Sequence, residues 1–225
     1  MTILIAAPLE AEKKHLAQHL GLSRQITMGR VPILTDAEQR ILLVAAGHGK
    51  AQFGVVSQHL LDWIDDIKLF VCAGAAGSLS SEVSTGDVVV ATTTIEHDFR
   101  RRFRPADAPH FDGDAKSISV LERRKASGAF SFSVHFGLIA SGDEDVVEEE
   151  RASELRSVTG AVAAAWEGAG GARASRFSGI PFLEVRGITD QASADSASQF
   201  EANLPDAMAH VSSVLGQLGD VTESF

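Results

Sequence analysis

Cysteine is almost absent. Cys72 is the single one among 225 residues, so no disulfide forms within the chain and a reducing compartment is expected. Positive charge is also scarce: Lys and Arg total 20 against 30 Asp and Glu, a formal net charge of -10 with a pI near 5.2. Coating nucleic acid requires a basic face to neutralise phosphates, so no nucleic-acid partner is expected. No run of 18 apolar residues occurs, which excludes a helix that spans a membrane. The opening MTILIAAPLEAEKKHL has no basic stretch ahead of its apolar residues and meets charge at Glu10. It does not read as a signal peptide, and a cytoplasmic protein without a membrane partner is expected.

What is present suits a packed α/β protein. Hydrophobic residues make up 44% of the chain, enough for a sizeable core. Short apolar runs alternate with longer stretches of helical period, the pattern of a sheet covered by helices. Strands are predicted at 2–7, 40–46, 68–73, 87–96, 132–141 and 181–188, with weaker candidates at 31–34 and 161–166. Pro32 within the first of these two suggests an edge. Helices are predicted at 10–20, 50–64, 115–126, 147–158, 168–177 and 198–218. In the last, Phe200, Leu204, Ala207, Met208, Val211, Leu215 and Leu218 form a core-facing stripe. The segment 99–113 has no period and reads as a functional loop or an oligomer contact. With no linker or repeat, one domain over 1–225 is expected.

Two glycine-rich segments draw attention. AGHGKAQ at 46–52 fits neither GxGxxG nor a P-loop, and reads as a tight strand-to-helix turn with free backbone N–H groups. CAGAAGSL at 72–79 reads as a second such turn, with Cys72 a small buried hydrophobe. His15 and His19 stand one helical turn apart without a third ligand, so no metal site is assigned. His97 and Asp98 end a strand. Arg100, Arg101, Arg102 and Arg104 read as a solvated loop, and Glu148–Glu150 as structural carboxylates in the first turn of a helix. More informative are Glu12, Glu167 and Asp190, each placed just past a strand. Ligands of open α/β sheets bind at the carboxyl ends of strands. Three carboxylates there would suit glycosidic cleavage, as acid, base and hydroxyl anchor.

Five ordered segments carry a family resemblance: ILIAAPLEAE, VAAGHGKAQFGVVSQHLLD, CAGAAGSLSSEVSTGDVVVATTTIEHD, GLIASGD and WEGAGGARASRFSGIPFLEVRGITD. Together they resemble the nucleoside phosphorylase superfamily, nearest its methylthioadenosine/S-adenosylhomocysteine nucleosidases. The resemblance implies a single-domain three-layer α/β/α sandwich with a mixed twisted central sheet, a homodimer, and no metal or cofactor. It also implies hydrolysis of an adenine ribosyl bond in a small nucleoside. Asp190 would then protonate N7 of the departing base and Glu12 would activate water. Glu167 would hold the ribose hydroxyls beside the Trp166 backbone, and Phe200 would cover the base or the 5′ substituent. Burial should raise the pKa of Asp190, while Glu12 should stay ionised.

Departures from the family pattern cluster around the substrate. Asp145, followed by Val146, stands where a stacking aromatic is usual. Ala75 replaces a small hydroxyl residue, Trp166 a methionine, Ala165 an acid, and His48 an apolar residue. Three alternatives therefore stay open: a futalosine-type hydrolase, a purine nucleoside phosphorylase, and a catalytically silent nucleoside-binding protein. A phosphorylase needs cationic coordination for phosphate, and the turn AAPLEAE offers carboxylates and no arginine, which favours hydrolysis.

Overall fold

A computed structural model describes residues 2–219. In chain order the elements are β1 Thr2–Ala7, α1 Glu10–Leu20, β2 Arg24–Met28, β3 Val31–Thr35, β4 Ile41–Ala45, α2 Lys50–Trp63, β5 Ile67–Ser78 and β6 Val88–Glu96. Then come β7 His110–Asp112, α3 Ala115–Ala126, β8 Val134–Ser141, α4 Glu149–Thr159, β9 Ala163–Ala165, α5 Gly168–Ser178, β10 Phe182–Asp190 and α6 Ser196–Gly216.

The strands form one ten-stranded mixed sheet. Alternation along its central strands makes the three layers. Ile3, Ile5 and Ala7 of β1 and Leu69 and Val71 of β5 pack into a core with Leu16 of α1 and Leu204, Met208 and Val211 of α6. The intervening Leu4, Ala6, Phe70 and Cys72 face the other way, onto Phe53 and Leu60 of α2 and Ala169 and Ala172 of α5. Each large side chain buried this way contributes roughly 1.5–3 kcal/mol. The sheet is therefore apolar on both faces, which is why its strands read as unbroken hydrophobic runs.

Part of the sheet closes on itself. β5 pairs with β10, β10 with β6, β6 with β8, β8 with β9, and β9 with β5. This ring draws the ends of β5, β9 and β10 together at one rim.

Three sequence expectations are corrected. CAGAAGSL is not a turn but the second half of β5, paired with β10 from Cys72 to Gly77. Its small residues lie flat in the ladder and let side chains from neighbouring elements cross above them. β3 is not the sheet's edge, because β2 lies outside it. Pro32 is tolerated since β3 meets β4 only at Leu34 and Thr35, so its missing N–H falls beyond the end of that ladder. β7, a three-residue strand against β6, lies inside the segment expected to be wholly irregular.

Candidate active site

A cavity of about 460 Å³ opens at this rim. Its lining includes the nine residues to which the resemblance gave a place at the substrate, namely Glu12, His48, Ala75, Asp145, Val146, Trp166, Glu167, Asp190 and Phe200, together with Ala165. They come from separate stretches of chain.

Glu12 is placed by its own helix. It stands three residues into α1 and reaches back to accept the Leu9 N–H at 2.7 Å, the reciprocal half of a capping box. Its other oxygen accepts the Ala75 N–H from β5 at 2.8 Å. At 2% exposure, desolvation outweighs these two donors and the nearby Arg186, and its pKa is pushed up to about 7. This corrects the expectation of a fully ionised Glu12: near neutral pH it stands poised between its two forms, where a general base is most effective.

Glu167 anchors the glycine turn. Gly47 and Gly49 have φ of 96° and 82°, which side chains with a Cβ rarely adopt. The turn aims the Gly49 N–H at one Glu167 oxygen, 3.2 Å away, and His48 Nδ1 lies 3.3 Å from the same oxygen. The His48 ring packs on Trp166 with centroids 4.1 Å apart. Ser141 fixes the Trp166 backbone by donating to its carbonyl at 2.8 Å.

Asp190 ends β10. One oxygen accepts from the Thr189 hydroxyl at 2.9 Å and the other from the Ala192 N–H at 3.0 Å, so the carboxyl plane is fixed against the cavity. Asp145 and Val146 follow β8, and Phe200 lies in the second turn of α6.

Three further residues of the cavity, and one beneath it, had no role from the sequence. Arg186, 1% exposed, donates Nε to Glu184 at 2.9 Å, Nη1 to the Ala75 carbonyl at 3.2 Å, and Nη2 to Glu167 at 3.3 Å. It also donates Nη2 to the Cys72 sulfur at 3.2 Å. Burial opposes its charge, but the Cys72 sulfur and the carboxylates of Glu184, Glu167 and Glu12 hold its pKa above the ordinary value. Burial likewise pushes the Cys72 thiol up. Thr189 orients Asp190, and His97 also lines the cavity. The signal for Arg186 and Glu184 was two opposite charges at i and i+2 in an apolar strand, which places both on one buried face.

Asp98 does not join the cavity. It pairs with Lys50 and accepts the Asp143 N–H at 3.0 Å, tying the start of α2 to the turn after β8. Arg100, Arg101, Arg102 and Arg104 are exposed. Among the described residues no cluster of three His, Cys, Asp or Glu side chains is placed to hold a metal, and no helix is long and apolar enough to cross a membrane.

The family model described as "Phosphorylase superfamily" matches residues 2–219. A 5′-methylthioadenosine/S-adenosylhomocysteine nucleosidase of Mycobacterium bovis is 26% identical, covering 93% of this chain and 89% of its own. Among solved structures, a Helicobacter pylori nucleosidase of the same name, bound to butyl-thio-DADMe-Immucillin-A, superposes with a TM-score of 0.86 at 22% identity. It covers 100% of this chain and 99% of its own. The futalosine hydrolase of the same organism superposes with a TM-score of 0.87 at 22% identity, over 98% of each chain.

Proposed function

Because the chain belongs to the phosphorylase superfamily, we propose that it is a nucleosidase hydrolysing the N-glycosidic bond of an adenine nucleoside of the methylthioadenosine/S-adenosylhomocysteine kind. The observation that carries this reading is the convergence of Glu12, Glu167 and Asp190 on one cavity, from three separate strand ends. A nucleoside C–N bond breaks through an oxocarbenium-like state, so it needs a proton on the departing base and a deprotonated water at the sugar. Asp190, oriented by Thr189 and Ala192, donates to N7. Glu12 takes the proton from water. Glu167 holds the ribose hydroxyls against the Trp166 backbone, and Phe200 covers the base or the 5′ group. Ala75, Val146, Asp145 and His48 complete the surface that meets the substrate.

Hydrolysis is favoured over phosphorolysis by electrostatics. The cavity lining contains one arginine and no lysine among the described residues, and Arg186 is already engaged by Glu184 and Glu167. Its guanidinium is therefore not left to neutralise phosphate. A homodimer and a cytoplasmic location belong to the same proposal, the latter supported by a chain whose single cysteine leaves its fold without a disulfide.

Adenine release from methylthioadenosine, followed by absorbance with and without phosphate, tests the reading. Equal turnover in both is expected. A phosphate requirement would make the protein a phosphorylase, and binding without turnover of any nucleoside a silent relative. The deaminated 6-oxo counterpart should fare worse by about ten- to a hundredfold in kcat/KM, because a carboxyl that accepts from a 6-amino group meets an oxygen instead. A preference for it would favour the futalosine-type alternative.

A further inference from the structure

Glu184 is fully buried, belongs to no step of the reaction above, and still occupies a built niche beneath the cavity. One oxygen accepts from Arg186 Nε at 2.9 Å and the other from the Thr94 hydroxyl of β6 at 2.5 Å. Room for it exists because residue 168 is glycine: a Cβ there would collide with the Glu184 carboxylate. The groups around it are Arg186 on its own strand, Thr94 on β6, Cys72 on β5, and Gly168 with Glu167 at the start of α5. Arg186 joins Glu184 below to Glu167 at the cavity wall, and its charge also acts on Glu12. Three carboxylates thus share one guanidinium.

We propose that Glu184 is a positioning residue of this site: it clamps the Arg186 Nε from beneath and neutralises part of the guanidinium charge that reaches Glu12 and Glu167. A buried unpaired charge is costly, so a buried guanidinium left with two partners instead of three acts more strongly on those that remain. The sign follows. Removing the Glu184 charge leaves Arg186 to favour the Glu12 carboxylate, so Glu12 releases its proton at lower pH. Only the kinetic readout rests on Glu12 being the water-activating base proposed above.

The experiment is a titration of ¹³C-labelled glutamate carboxyls by NMR, in wild type and Glu184→Gln, with the Glu12 signal assigned by its loss in Glu12→Gln. The pH dependence of kcat/KM for methylthioadenosine is measured beside it. Glutamine keeps the shape and removes the charge. The Glu12 midpoint is expected to fall by about one unit, and the acid limb of the rate profile to move with it. Glu184→Asp keeps the charge on a shorter arm: its midpoint should stay at the wild-type value while kcat falls at least about tenfold. An unmoved Glu12 midpoint in Glu184→Gln overturns the proposal. Should that variant not fold, Glu184→Asp decides, and an unchanged kcat overturns it. Absence of turnover by wild type sinks the hydrolytic reading instead, and the NMR midpoint still decides on Glu184.

Discussion

Two demands on Glu12 pull against each other. Its capping-box geometry and the Ala75 N–H favour the carboxylate, while complete burial favours the acid, and burial wins. A carboxyl raised in the folded state contributes stability that is fully present below its ordinary pKa of 4.5 and lost as pH rises through about 7. Glu12→Gln removes that titration. It also leaves one backbone N–H facing the amide, a pH-independent cost of roughly 1–3 kcal/mol. Relative to wild type, the variant should gain about 2–3 kcal/mol between about pH 5 and about pH 8, read from urea unfolding at both values. A flat difference would mean that Glu12 is not raised. Asp190→Asn should keep the fold and lose turnover by roughly 10²-fold or more, since an amide has no acidic proton to transfer. Retention of a tenth of the wild-type rate would remove Asp190 from that role. Of the residues lining the cavity, those at strand ends were legible, because the carboxyl ends of the strands are where a sheet of this kind meets its ligand. Glu184 and Arg186 were not read as a pair, since their charges cancel inside a strand whose hydrophobic pattern is otherwise unbroken.

Among the elements, α2 and α5 cross where both are reduced to backbone. A Cβ on Gly54 would lie 3.2 Å from the Gly170 carbonyl oxygen, and a Cβ on Gly170 would strike the Lys50 carbonyl. The small residues of GAGGARAS suit a helix that packs tightly on the sheet, but they do not show that its close partner is a second helix as well. Periodicity shows that a face is small and not what lies against it. The same limit explains β5: glycine and alanine are common to turns and to strands crossed by ligands or side chains, and pairing with β10 settles the matter through tertiary contacts. Gly170→Ala should therefore destabilise. Overpacking against backbone costs about 1–3 kcal/mol, and the better helix propensity of alanine returns up to about 1. A net loss of about 1 kcal/mol corresponds to a Tm lower by about 2–4 °C in a chain of this size. Because α2 begins at the turn that holds Glu167, KM should rise with it. An unchanged Tm by calorimetry would show that the helices separate freely.

At the level of the whole molecule, apolar side chains stand uncovered on and beside α2. Val55 and Trp63 of α2 are 71% and 61% exposed, and Phe103 is 96% exposed. The Lys50–Asp98 pair holds the segment bearing Phe99 and Phe103 next to the start of α2, and Arg173 of α5 packs over the Phe99 ring. A second copy is the occupant proposed for this face. Two chains of net charge -10 repel, so association has to come from apolar area, and salt should strengthen it by screening that repulsion. Sedimentation equilibrium is expected to give twice the 23.8 kDa chain mass, with a tighter dimer as salt is raised. Val55→Glu with Trp63→Glu places two further negative charges on each copy at the contact, and should yield a folded monomer with an unchanged far-ultraviolet dichroism spectrum. A wild-type monomer at every salt concentration would sink the homodimer. A double variant that stays dimeric would move the interface away from α2.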